Sequence, residues 1–149
     1  MQILALAPQD FLPAWQRVDS WFEREVHDLV HPVFFHHFGG YAVKEDGELI
    51  GFLIGLRSQR NRDVAYIHLV AIHPQRRGQG IATNLYQRFE QQARSWGCGL
   101  IEAITTPDNE AALAFHSSRD FRETLVKDWA GPGEDRMVLR KRLDPSLSG

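Results

Sequence analysis

A chain of 149 residues that is 43% hydrophobic can bury one sizeable core and is too short to build two. Its formal charge of -2 gives no overall pull towards nucleic acid or an anionic membrane. The single cysteine, Cys98, excludes an intrachain disulfide framework and fits a reducing compartment.

The N-terminal segment ILALA is too short for a secretory core and follows no basic stretch, and no later apolar run approaches the roughly 20 residues of a membrane span. The expectation is a soluble cytoplasmic protein with one domain over residues 1–143 and a frayed tail at 144–149, without nucleic-acid or membrane partners. QILALA (2–7) reads as a strand. PQDFLPAWQRVDSWFEREVHDLV (8–30) reads as two short helices broken near Asp19 and Ser20, with Pro32 stopping the second. HPVFFHHFGG (31–40) reads as a loop. In YAVKEDGELIGFLIGL (41–56), Asp46-Gly47 between two β-rich runs predicts a hairpin. RSQRNRD is a polar turn, and VAYIHLVAIHP a third strand of the meander.

HPQRRGQGIA (73–82) follows that strand. Glycines at 78 and 80 let the backbone curl tightly or approach a ligand closely. A helix starting there offers unpaired N–H groups and partial positive charge, which together suit an anion such as phosphate. Arg76 and Arg77 could add charge at the rim; the plain alternative is a solvated turn. After it Ile81, Leu85, Phe89, Ala93 and Trp96 recur at helical spacing up to Gly97. GLIEAITTP is a strand and DNEAALAFHSS a helix capped by Asp108 or Asn109. FRETLVKDWA and DRMVLRKRL form a last strand pair around the loop GPGE.

Familiar alternatives fit less well. The triphosphate-binding G-x-x-x-x-G-K-[ST] is absent, and a dinucleotide G-x-G-x-x-G fails at Thr83 and follows antiparallel strands. HDLVH (27–31) imitates a zinc-protease motif, but its acid is the shorter Asp28 and Pro32 ends the helix at once, so no metal is expected. Ser117 and Ser118 lack the G-x-S-x-G turn of a serine nucleophile.

QRRGQG matches the Q/R-x-x-G-x-G/A turn of the GNAT superfamily of N-acetyltransferases, and nearly the whole chain resembles that family in its order of elements. The resemblance implies an α/β (α+β) fold, a mixed, mainly antiparallel sheet of six to seven strands flanked by about four helices, with a splay between strands 4 and 5. It implies acetyl-CoA as acetyl donor and no metal. The pyrophosphate would lie on Arg76, Arg77, Gly78, Gln79, Gly80, Ile81 and Ala82. The pantetheine arm would lie along Val70, Ala71 and Ile72, and Asn109 resembles an asparagine that supports the cofactor. The implied reaction is direct attack of a primary amine on the thioester, with a small amine as acceptor; a homodimer is compatible with it.

The family's usual tyrosine acid is replaced by His116, which either exchanges protons or packs against Phe115 and Phe121. Where the family often has a basic glutamate, this chain has Tyr66 and His68, on one side of a strand by period-2 alternation. The missing tyrosine also admits a non-catalytic acyl-CoA-binding or sensor module. Asp128, Glu134 and Asp135 near the final turn either favour a cationic amine or simply solvate the loop.

Overall fold

The structure, a computed structural model, describes residues 1–143; the expected tail at 144–149 lies outside the described residues. Seven strands form one sheet in the order β1-β2-β3-β4-β5-β7-β6. They are β1 (Gln2–Ala5), β2 (Gly39–Glu45), β3 (Glu48–Arg57), β4 (Val64–Ile72), β5 (Leu100–Thr105), β6 (Arg122–Val126) and β7 (Arg136–Arg142). The helices are α1 (Phe11–Phe22), α2 (Pro32–His37), α3 (Ile81–Ser95) and α4 (Glu110–Ser117). The β4–β5 ladder is parallel and runs from Val64↔Leu100 to Ile67↔Ala103. β4 itself continues to Ile72, beyond the last paired position of that ladder. Among the described residues, no helix is long and apolar enough to cross a membrane.

The chain groups into two compact units. The first comprises Met1–Leu56 and His68–Phe89. Its antiparallel β1-β2-β3 meander turns at Asp46 and Gly47, both at positive φ, as the hairpin signal predicts. One face of the meander packs Ala42, Phe52 and Ile54 with Ala14, Val18 and Trp21 of α1 and Phe35 of α2. α3 covers the other face, since the Tyr41 hydroxyl donates to the Arg88 carbonyl at 3.1 Å and Ile81, Leu85 and Phe89 are buried along the helix. Apolar cover on both faces explains why β3 is buried without interruption from Leu49 to Gly55.

Two expectations for the N-terminal third need correction. α1 runs unbroken through Asp19 and Ser20 and ends at Glu23, which takes the left-handed conformation at φ 55°. Pro32 opens a helix instead of stopping one, because a first helical position needs no N–H. His31 Nδ1 caps that helix by accepting from the Val33 N–H at 3.1 Å.

The second unit comprises Arg57–Ile67 and the described residues from Glu90 on. The Asp63 carbonyl accepts the Gly99 and Leu100 N–H groups at 3.0 and 3.1 Å, and its carboxylate takes the Gly99 N–H at 2.8 Å. This clamp starts the parallel β4–β5 register. β7 pairs antiparallel with β5 and β6. Below the sheet the nearly buried Lys141–Glu90 pair, at 2.9 Å, leaves neither charge uncompensated.

Gly40 is the tightest backbone position. At φ 141°, an added Cβ would lie 1.9 Å from the Leu53 carbonyl oxygen. Gly40→Ala is expected to cost about 2–4 kcal/mol of stability, read as a lower urea midpoint.

Candidate active site

The first unit carries the glycine turn. β4 ends as the His73 N–H donates to the Ile50 carbonyl at 2.8 Å, and His73 Nδ1 accepts from the Gln75 N–H at 3.1 Å. A 3₁₀ turn follows over Pro74–Arg76. Gly78 and Gly80 stand at φ 76° and 81°, in the region that favours glycine. A Cβ at either would meet nothing within 4 Å, so it is backbone conformation and open approach, not packing, that suits these positions to glycine.

The Gly80 carbonyl accepts the Asn84 N–H at 3.0 Å and so closes the first turn of α3. Glycine at that cap has no side chain to accept from the helix start, and helix geometry leaves the N–H groups of Ile81, Ala82 and Thr83 without intrahelical acceptors. These donors and the helix dipole fit an anionic pyrophosphate. Thr83 was visible in the sequence only as a departure from the dinucleotide pattern; its place in the first turn of α3 was the signal.

The arginines sit otherwise than simple rim charges would. The Arg77 guanidinium donates to the carbonyls of Ile72, at 3.2 Å, and Trp21, tying the turn to the end of α1. Arg76 pairs with Glu45 at 2.9 Å. Their backbone N–H groups bond to Pro74 and His73 within the 3₁₀ turn. Upstream, Ala71 belongs to the core under α1, with half-buried Val70 before it and buried Ile72 after it.

His68, on β4, reaches the Leu29 carbonyl with Nε2 at 2.8 Å, and its ring packs on Phe34 with centroids 4.5 Å apart. A carbonyl only accepts, so Nε2 carries the proton and Nδ1 of the neutral ring holds the lone pair. Burial pushes the His68 pKa below 6.5, partly opposed by the Leu29 contact. Burial thus favours the neutral ring.

Leu29 belongs to a 3₁₀ turn, His27–Leu29, that Asp19 organises. Asp19 Oδ1 accepts the Val26 and His27 N–H groups at 2.6 and 2.8 Å, and Oδ2 lies 2.6 Å from His27 Nδ1. HDLVH is thus a 3₁₀ turn leading to the His31 cap, not two histidines on one helix face.

In the second unit Tyr66 stands opposite Glu102, whose carboxylate accepts from Arg140 Nε at 2.8 Å. Burial first, then Glu102, pushes the Tyr66 phenol up. Asn109 Oδ1 caps α4 by accepting the Ala112 N–H at 3.1 Å. His116 is buried, with Nδ1 2.7 Å from the Ala112 carbonyl. Its ring meets Phe115 and Phe121 edge-on, with centroids 5.4 and 4.9 Å away, and burial lowers its pKa. In the final loop, Asp128 accepts the Gly133 N–H at 2.8 Å, Asp135 accepts the Asp128 N–H at 2.9 Å, and Glu134 pairs with Arg136 at 3.3 Å. The acids there stabilise the loop itself.

Residues 2–121 match the model of the acetyltransferase (GNAT) family. The chain belongs to this family. Among its relatives, an L-2,4-diaminobutyric acid acetyltransferase of Nocardia farcinica is 32% identical over 73 residues, which cover 49% of this chain and 38% of that protein. An acetyltransferase of Pectobacterium atrosepticum is 27% identical over 150 residues, 96% of each chain. The first three curated relatives are each matched over less than half of their length, 38–46%. A Salmonella typhimurium protein solved with its cofactor acetyl-CoA superposes with a TM-score of 0.74 at 19% identity, covering 97% of this chain and 94% of that one. At that identity the likeness concerns the fold, and it bears out the mixed sheet with its parallel β4–β5 pair.

The Asp19–His27 pair sets a pH dependence. His27 is raised above 6.5, chiefly by its hydrogen bond to Asp19 and then by the charges of Asp19, Asp28 and Glu25. Asp19 is lowered below 3.8, chiefly by the Val26 N–H and then by His27. A raised histidine contributes stability below 6.5 that is lost as pH rises through its folded pKa; a lowered carboxylate contributes above 3.8 and is lost on acidification. The stability gap between wild type and His27→Ala should therefore be widest between these limits and shrink above pH 6.5 in urea titrations.

Proposed function

We propose that the chain is an acetyl-CoA-dependent N-acetyltransferase acting on a small primary amine. The observation that carries this reading is the open, glycine-lined start of α3, where Gly78 and Gly80 stand at positive φ with open space beside them. Gly78, Gln79, Gly80, Ile81 and Ala82, joined by Thr83, would hold the pyrophosphate through the main chain. Arg76 and Arg77 would brace the turn through Glu45 and through the carbonyls of Ile72 and Trp21. Val70 to Ile72 would pair with the pantetheine arm, as an added strand does, and Asn109 would support the cofactor from the start of α4. Acetyl-CoA, when bound, supplies a thioester with a good leaving group. His68 Nδ1 is the proton acceptor of this reading: its lone pair is left free by the Nε2 contact to the Leu29 carbonyl, and burial favours the neutral ring. Tyr66 and His116 are candidate proton donors; a phenol with a raised pKa keeps its proton at neutral pH. The relatives that acetylate L-2,4-diaminobutyric acid support a small amine bearing a carboxylate as the first acceptor to try, and the lone cysteine suits the cytoplasm.

Calorimetry with acetyl-CoA, and with NAD as a control, tests the cradle; CoA release with L-2,4-diaminobutyrate and other amines tests the transfer. Saturable acetyl-CoA binding without NAD binding is expected, and no binding would refute the cofactor assignment. Binding without CoA release from any amine would turn the reading towards an acyl-CoA-binding module. Gly80→Ala should weaken acetyl-CoA binding roughly 10- to 100-fold, the worth of one or two charge-assisted hydrogen bonds. His68→Gln should lower kcat roughly 100-fold or more with acetyl-CoA affinity unchanged; an unchanged kcat would remove His68 from the mechanism.

A further inference from the structure

We infer that Asp19, on α1, is a positioning residue for His68: its carboxylate builds the turn whose carbonyl selects the His68 tautomer. This inference rests on the proposed role of His68 and adds the element that orients it.

The linkage is continuous within the first unit. Asp19 Oδ1 takes two successive backbone N–H groups, Val26 at 2.6 Å and His27 at 2.8 Å. They follow the irregular stretch that α1 releases at Glu23 and open the 3₁₀ turn His27–Leu29. The 3₁₀ turn then closes by Leu29 N–H to Val26 O and Val30 N–H to His27 O, both at 2.9 Å. That closure aims the Leu29 carbonyl at His68 Nε2, 2.8 Å away. Val30 is buried in the core and anchors the far end of the turn. Phe34 of α2 packs against the imidazole at a tilt, with centroids 4.5 Å apart, and limits its rotation.

Without the two Asp19 contacts, the Val26 and His27 amides would need water, and the turn would lose its fixed entry. His68 would then lose its acceptor, and the lone pair would no longer be confined to Nδ1. Charge is secondary to this role. Asp19 also meets the His27 ring, which Asp28 Oδ1 approaches at 3.5 Å and Trp15 edge-on. The contacts to the turn, however, go to backbone N–H groups that a neutral amide oxygen can equally accept.

That distinction supplies the test. In the wild-type protein alone, the His68 Nε2 proton held on a carbonyl should give a slowly exchanging downfield imidazole resonance in proton–nitrogen NMR, assigned by its loss in His68→Gln. Asp19→Ala should abolish it or speed its exchange at least roughly tenfold. Asp19→Asn, which keeps the oxygen facing Val26 and His27, should preserve it. If Asp19→Ala does not fold, Asp19→Ser, with too short a reach for both N–H groups, takes its place with the same expected loss. An unchanged His68 resonance in a folded Asp19→Ala or Asp19→Ser protein overturns the inference, as does its loss in a folded Asp19→Asn. The readout needs neither acetyl-CoA nor an amine, so its failure is distinct from failure of the acetyl-transfer reading.

Discussion

The main constraint on this protein is the start of α3, where a buried strand must pass into a helix without covering the helix's first amides. β4 is fixed on one side by β3, and its last contact is the His73 N–H to the Ile50 carbonyl. Within a few residues the chain reverses through Gly78 and Gly80 and begins α3, whose apolar stripe must stay against the meander. The helix start is thereby held at a set place, and glycine at its cap has no side chain to accept from the first N–H groups. A conventional serine or aspartate cap would stabilise the helix further and occupy those donors.

The arginines of the turn show how charge is used there. A guanidinium bound to two carbonyls and another paired with Glu45 brace the loop from behind. Positive potential at the front then comes from backbone dipoles, which are fixed in direction and need no ordering when an anion arrives. In the proposed reading, this division would let a chain with a formal charge of -2 offer an anion the start of α3.

The histidines follow the same economy of placement. His27, His31, His68, His73 and His116 each bond to a carboxylate, a backbone carbonyl or a backbone N–H through one ring nitrogen. Such contacts set tautomers, and in buried rings they accompany a lowered pKa. His68 and His116 are thus matched in chemistry but differ in support: one is held by a turn 39 residues away in sequence, the other by its own helix.

The sequence by itself determined the strand, turn and helix around QRRGQG, the Asp46-Gly47 hairpin, and a cap at Asp108 or Asn109 that the structure places on Asn109. Those features arise from residues a few positions apart, through the φ that glycine allows and the reach of a short side chain. It also carried the family, because the turn and the order of elements are recognisable where identity to a solved neighbour is only 19%. It did not carry the short helix from Pro32, since six residues hold too little periodicity to distinguish a helix from an aromatic loop. Tertiary structure alone decided that Arg77 turns back to Trp21, that Asp19 holds Val26 and His27, and that Leu29 faces His68. Each joins groups that are distant along the chain or separated by an irregular turn, so only the packing of α1 and the meander brings donor to acceptor.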